Sequence, residues 1–336
     1  PMETLKRYYD ALVEHPVING LLPHLLTVVG FILAFIALAR LVSERKQPGN
    51  TFAWLLAIAF VPYVGVPLYL MFGGRKLRRL AAQKAPLSST PTIAPFDTVE
   101  QTFAARVFTR NGACPPLGGN RVHFLTTGEE SFEHLEHAIH HAKHRIHLMT
   151  FILGRDAVGK RIIRLLAQRA KEGVKVRLLL DGLGCFLSSR GFCDPLREAG
   201  GEVVKFMPVM PLQRPSTANL RNHRKIAIFD HRIAALGGRN LASEYMGPTL
   251  LKRRWRDLGG VIEGPAVRLL DEIFLADWAF ASGQSLAELQ KELPAEVPAE
   301  AGDSEVQIVA SGPDVAGDPL YEGILSLVQQ AERSVW

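Results

Sequence analysis

Cysteine is scarce. Cys114, Cys185 and Cys193 are the only three in 336 residues. Odd in number and without metal-ligand spacing, they exclude a disulfide framework and a zinc site built on cysteine, and they suit a reducing cytoplasm. Aromatic residues make up only 8% of the chain and are not interleaved with basic runs, so no nucleic-acid partner is expected. Charge is missing from two stretches, Leu25 to Ala39 and Phe52 to Phe72. About twenty apolar residues span a hydrocarbon core. The second stretch is long enough, and the first extends to Val42 if Arg40 snorkels to the interface. Two transmembrane helices are therefore expected over about 22–42 and 52–72, as a membrane anchor within residues 1–80. Lys6 and Arg7 lie far upstream and a second apolar run follows, which argues against a cleaved signal peptide. Pro62, Gly65 and Pro67 leave open a kinked or re-entrant hairpin over the second run.

What is present is basic. The formal charge of +6 and pI of about 9.3 favour an anionic partner, and beside two membrane segments that partner reads as acidic phospholipid. Arg75, Lys76, Arg78 and Arg79 follow the second apolar run. Such an excess stays cytoplasmic, which puts the catalytic part in the cytosol. A linker with Pro86, Pro91, Pro95, Pro115 and Pro116 occupies 81–119. Strands then alternate with helices: Val122 to Leu125, helix Ser131 to Ala142, Arg145 to Phe151, helix Val158 to Glu172 capped by Gly173, Val174 to Leu180, a short helix from Asp194, and Glu202 to Phe206. This alternation predicts an α/β sandwich with a mixed or parallel sheet flanked by helices. Helical spacing of Val267, Leu270, Phe274 and Trp278 closes that unit, and the proline-containing acidic stretch 284–303 reads as a solvated connector.

One run carries chemistry: RNHRKIAIFDHRIAALGGRN, residues 221–240. It reads as strands Lys225 to Phe229 and Ile233 to Leu236 joined by the turn Asp230-His231-Arg232. Side chains two apart in a strand share a face, so His223 and Lys225 can converge on one anionic group. Lys225 and the Asn240 amide would hold phosphoryl oxygens, Gly237 and Gly238 would let backbone approach closely, and His223 is left as the nucleophile. Asp230 falls on the other strand face and is expected to be structural or electrostatic. Arg214, Arg221, Arg224, Arg239, Arg253, Arg254 and Arg256 crowd the same region as head-group candidates. His134, His137, His141 and His144 form a helical stripe opposite Leu135, Ile139 and Ala142. A polar solvated face accounts for them, and no metal or other cofactor is expected.

HRKIAIFD followed by GGRN resembles the His-x-Lys-x4-Asp signature of the phospholipase D superfamily, and RNHRK with GGRNLASEY is similar to its bacterial cardiolipin synthase branch. The resemblance extends to WRDLGGVIEGPAV, FLADW, HFLTTGEESF and TFAWLLAIAFVPYVGVPLYLMFGGRK, and so to nearly the whole chain. It implies double-displacement phosphoryl transfer without a metal. One motif histidine forms a phosphohistidine, and the histidine of a second motif protonates the leaving alcohol. It also implies a carboxylate that orients the nucleophile, for which Asp257 is the best match. The expected partner is phosphatidylglycerol in a bacterial inner membrane, entered by a multi-pass anchor.

The motif occurs once. VHFLTTG with AIHHAKHRIHLMTF is echoed by VQIVASG with SLVQQAERSVW near the C-terminus, which suggests a first phospholipase D-like half over 120–283 and the opening of a second over 304–336. The chain is then expected to be a fragment, completed by a second half or by a homodimer. Two other functions stay open: a phosphodiesterase that gives the phosphoryl group to water, and a non-catalytic lipid-binding module. A membrane-tethered nuclease ranks behind both.

Overall fold

A computed structural model describes residues 24–25, 27–36, 39, 48–72, 102–186, 188, 191–207, 221–312, 315 and 319–335. The expected cytoplasmic cluster at Arg75 to Arg79, most of the 81–119 linker and Arg214 lie outside the described residues. Described residues up to 72 belong to one compact unit and those from 102 onward to another.

In the first unit, residues 24–25 and 27–36 are helical. Helices α1 (Pro48–Phe60) and α2 (Pro62–Phe72) follow. Over Phe52 to Phe72, where the sequence leaves open a kinked or re-entrant hairpin beside a straight span, the chain forms two helices that meet at Val61. Pro62 has no N–H to donate and biases the residue before it out of the helical region. Ile58, Val66 and Tyr69 cluster with Ala34, and the Trp54 and Tyr69 rings meet edge to face at 5.6 Å. Gly65 lies so close to the Ala57 carbonyl that a Cβ there would clash. No described helix is long and apolar enough to cross a membrane.

The second unit opens with α3 (Phe103–Arg110) and β1 (Leu117–Leu125), so the sheet begins inside the expected linker. Next come α4 (Gly128–His141), β2 (Arg145–Thr150), α5 (Ala157–Lys171), β3 (Lys175–Asp181), α6 (Asp194–Glu198) and β4 (Glu202–Phe206). β5 (Ile226–Phe229), β6 (Ile233–Gly237), β7 (Gly259–Glu263), α7 (Val267–Ser282), α8 (Leu286–Gln290), β8 (Ser304–Val306) and α9 (Pro319–Gln330) complete it. The strands form a mixed sheet in the order β4-β3-β2-β5-β6-β7-β1-β8. β2, β3 and β4 run parallel, and every other pairing is antiparallel.

Strand parity sorts two cores. Ile146, Leu148, Leu178, Leu180, Ala227 and Phe229 face α4 and α5, while Met149, Leu179, Ile226, Ile228 and Ala234 face α7 with its buried Phe274 and Trp278. Local signals start and stop the helices. Thr127 and Glu130 form a capping box on α4, Asp156 caps α5, and Gly283 at φ 78° ends α7.

Two expected boundaries move. The acidic stretch 284–303 is not simply a solvated connector: Leu289 and Leu293 are buried, and Glu292 binds Arg145 and Arg177. Burial alone would raise the Glu292 carboxyl, but the Arg177 guanidinium and then Arg145 hold it at about 2. β8, expected to open a second half, pairs with β1 in the same sheet.

The β5–β6 turn is the tightest point. Asp230 and His231 both take positive φ (51° and 59°), and the Arg232 N–H closes on Phe229 O at 3.0 Å. Left-handed backbone costs a non-glycine residue about 1 kcal/mol or more. Offsetting contacts come from Asp230, whose carboxylate accepts the N–H groups of Lys143, His144 and Arg145 at 2.7–2.8 Å. Replacing it with Ala should cost about 2–4 kcal/mol, because charge-assisted bonds to three amides vanish. Asp230→Asn should cost less, and urea unfolding measures both. A loss under about 0.5 kcal/mol for the Ala variant would remove the carboxylate from this role.

Candidate active site

The carboxyl ends of β2, β3 and β4 lie at the same end of the sheet as the starts of β5 and β7, as the pairs Met149↔Ile226, Thr150↔Leu180 and Gly237↔Gly259 require. His223 and Lys225 sit there, just ahead of β5 instead of within a strand. Their side chains nevertheless converge. Lys225 Nζ is 3.0 Å from either ring nitrogen of His223 and donates to the His223 carbonyl at 2.8 Å. The Phe151 ring backs both, 4.7 Å from the His223 ring and 5.6 Å from Nζ.

The segment before β5 is pinned by buried carboxylates. Asp181, at the end of β3, accepts the Asn222 N–H at 3.0 Å and the N–H groups of Leu183 and Gly184. Asp277 on α7 accepts from Asn222 Nδ2 at 2.9 Å and from Arg224 Nη1 at 2.9 Å. Arg224 therefore points away from His223, as its parity suggested. Neither aspartate was singled out in the sequence. The available signal was a carboxylate set among apolar neighbours, in LLLD and in FLAD.

Charge at the site is tuned by burial. His223 is held below its ordinary 6.5, first by burial and then by the Lys225 cation, with Asp181 opposing. Lys225 is lowered to about 8 by burial, opposed by Asp257. An apolar cavity of about 60 Å³, bounded by Met149, Ile226, Leu236 and Leu241 among others, backs the Lys225 stem.

The remaining candidates divide. Asn240 is buried, and its Oδ1 accepts the Ile152 N–H at 3.0 Å, which turns its NH₂ away from that amide. Gly237 and Gly238 do permit close approach, but what approaches is the protein itself. A Cβ on Gly237 would meet Leu258, and one on Gly238 would meet the Asp257 carboxylate. Asp257 acts electrostatically on Lys225 and Arg239, whereas the carboxylate acting on His223 is Asp181. Arg239 is buried, donating to the carbonyls of Leu125, Thr126 and Asp257 and to Ser131 Oγ. Arg221 donates to Met207 O, and Arg254 binds Glu129. Arg253 and Arg256 are exposed. Burial pushes the Cys185 thiol up to about 12, and its Sγ donates to Phe151 O.

Away from this cluster, His147, His231 and Asp271 bring ligand-type atoms within 4.8 Å of one another. A metal could use that spacing, but both Nδ1 atoms are engaged by the carboxylate, at 2.8 Å and 2.5 Å. The His147 ring also stacks on Phe274 at 4.4 Å. The carboxylate thus satisfies both Nδ1 atoms, while His147 Nε2 is buried with no hydrogen-bond partner among the described residues.

Comparison with known proteins matches the same region. Residues 135–278 fit the family described as cardiolipin synthase, PLD-like domain, and residues 32–74 fit the phospholipase D-nuclease N-terminal family. The chain carries a phospholipase D-like domain of the cardiolipin synthase type. A cardiolipin synthase of Alkalihalophilus pseudofirmus is 34% identical over 306 residues, covering 87% of this chain and 61% of that protein. Cardiolipin synthase 1 of Bacillus cereus is 34% identical over 316 residues with the same coverage. The chain thus spans about 61% of the length of these curated relatives. The phosphatidylserine synthase of Haemophilus influenzae aligns at 16% identity with a TM-score of 0.44, covering 68% of this chain and 58% of that one. That likeness is too low to carry an argument.

The buried triad gives stability a defined pH dependence. Burial keeps His147 below its ordinary 6.5, with Asp271 opposing. For Asp271, burial alone would raise the carboxyl, but hydrogen bonds from His147 and His231 hold it at about 2 against an ordinary 3.8. Both folded values are depressed, so the unfolded chain binds more protons at acid pH and stability falls as pH falls. Loss starts below about pH 6.5 through His147 and continues from about 3.8 toward 2 through Asp271. The melting temperature should be lower at about pH 5 than at about pH 7.5, and the fall should shrink in His147→Asn, which donates without titrating. Equal slopes in the two proteins would remove His147 as the cause.

Proposed function

We propose that this chain carries the nucleophilic half of a phosphatidyltransferase that joins two phosphatidylglycerol molecules into cardiolipin with release of glycerol. The observation that carries this reading is the convergence of the His223 imidazole and the Lys225 ammonium at the open end of the sheet. Similarity to curated relatives that are cardiolipin synthases supports it. A His223 ring nitrogen attacks the donor phosphorus, and the bond from phosphorus to the glycerol oxygen breaks. That oxygen takes a proton from an acid supplied by a second motif, in a second catalytic half or a second copy of this chain. The head-group hydroxyl of another phosphatidylglycerol then attacks the phosphohistidine, its proton passing to the second-motif group deprotonated in the first step, and the bond from phosphorus to the His223 nitrogen breaks, giving cardiolipin and freeing His223.

Lys225 would balance charge on the non-bridging oxygens, with the Asn240 NH₂ as a further donor. Depression of the His223 pKa favours the neutral, nucleophilic ring. Asp181 would orient the segment that carries His223, a role first expected of Asp257, and Asp257 would keep Lys225 protonated. Asp230 would act as a structural clamp. The site would face the cytoplasm from an inner-membrane anchor.

In a preparation that makes cardiolipin, His223→Ala should lower the rate by more than the ~10²–10⁴-fold expected for loss of a general acid or base alone, since a covalent intermediate is lost. Residual activity within about tenfold of the parent would sink the nucleophile assignment. Phosphatidic acid in place of cardiolipin would move the reading to hydrolysis. The pH profile of kcat/KM offers a second check, because it reports groups of the free enzyme. Its alkaline limb should lie near 8, where Lys225 loses its proton, and should move upward in Lys225→Arg. An unmoved limb would detach Lys225 from the rate.

A further inference from the structure

Apolar side chains are exposed where the site opens. In the loop 248–258, which leads into β7 beside the site, Leu250 is 82% exposed, Trp255 64%, Leu258 53% and Leu251 47%. Lys252, Arg253 and Arg256 are exposed between them. Leu183, just beyond Asp181, is exposed at the same end of the sheet.

This exposure is built into the loop. Arg254 alone turns inward, binding the Glu129 carboxylate and donating to Thr249 O at 2.9 Å and Ser243 O at 3.3 Å. The Trp255 N–H donates to Glu244 O at 2.8 Å, and the Arg254 N–H to Leu251 O at 3.0 Å. One buried arginine thus stiffens a loop whose leucines and tryptophan point outward. The loop then reaches Asp257, whose carboxylate rests on Gly238 and acts on Lys225.

We propose that loop 248–258 is a docking surface for an anionic phospholipid bilayer, seating the mouth of the site on the lipid interface. This rests on the lipid reading above and adds where the lipid is met. Tryptophan and leucine alternating with lysine and arginine is the composition of an interfacial anchor, apolar bodies entering the acyl boundary and cations meeting head groups. Tryptophan and arginine suit protein interfaces as well, and what favours a bilayer is charge: three exposed cations, Lys252, Arg253 and Arg256, complement an anionic leaflet.

The test uses the full chain reconstituted in vesicles, with tryptophan emission quenched by brominated acyl chains. Subtracting the emission of Trp255→Phe isolates Trp255 from Trp54, Trp278 and Trp336. Quenching of the Trp255 component should be strong in phosphatidylglycerol-rich vesicles and weak in phosphatidylcholine. In Lys252→Gln/Arg253→Gln/Arg256→Gln it should drop by about half or more. No quenching in phosphatidylglycerol, or equal quenching in both lipids, would overturn the proposal. So would a Trp255 already shielded from aqueous iodide in lipid-free protein, since a protein segment would then be its cover. His223→Ala should leave the quenching unchanged, which separates a failure of docking from a failure of the transfer reading.

Discussion

Everything at the site depends on the register of β5 against β2. That register is clamped at both ends by carboxylates that β5 itself lacks. At the far end, Asp230 ties the β5–β6 turn to the three amides that begin β2, and His231 reaches across to Asp271 on α7. At the near end, Asp181 and Asp277 hold Asn222 from two directions, one from the end of β3, on the far side of β2, and one from the covering helix α7. A slip of one residue would turn every side chain of β5 to the opposite face. It would bury charge in a core now filled by Ile226 and Ile228, so the clamps and the core enforce the same answer.

The clamps also explain how a cationic site is tolerated. His223 and Lys225 repel each other when both are charged, and burial adds to the pressure on each. Lowering both pKa values relieves that pressure most cheaply by leaving the imidazole neutral and the amine protonated. That is the pairing a phosphorus-directed nucleophile and its charge-balancing partner need. The two nearby carboxylates are divided between them, Asp181 acting on the ring and Asp257 on the amine. Exchange of the two roles would require Asp257 to leave Gly238, where the missing Cβ is what admits it.

Much of this was legible beforehand. The helices and strands between residues 122 and 280 follow from apolar periodicity and capping residues, and the pairing of His223 with Lys225 followed from their spacing even though the residues prove to precede β5. What was not legible is the set of contacts made at long range. Asp271 shares the helical stripe of Val267, Phe274 and Trp278, where a carboxylate is costly unless partnered. Its partners His147 and His231 lie 124 and 40 residues away. Nothing in the sequence singles out His147 from the nearby histidine stripe, yet it sits on β2, whose two faces are both covered. The break at Val61 was signalled by Pro62, but the count of apolar residues outweighed it. Glu292 looked like one more charge in an acidic connector. Only the fold brings Arg145 and Arg177, which lie two register positions apart on β2 and β3 with Arg145 opposite Lys175 and Arg177 opposite His147, to the place where it completes them.

On the proposed mechanism, transfer and hydrolysis would differ only in which hydroxyl reaches a phosphohistidine, so the decision would lie in what excludes water. Among the described residues, His223 remains exposed while Lys225 is half-buried against an apolar wall. His223 is therefore shielded from behind and open in front. A front closed by protein would fix the acceptor through a shaped pocket, whereas a front closed by a lipid interface would fix it by local concentration. In the second case the acceptor is whichever head-group hydroxyl the leaflet presents, and water is excluded by the same surface that delivers it. The stiff, outward-facing Leu250, Leu251 and Trp255 suit that arrangement. They place the apolar boundary beside the site and need no lid that moves.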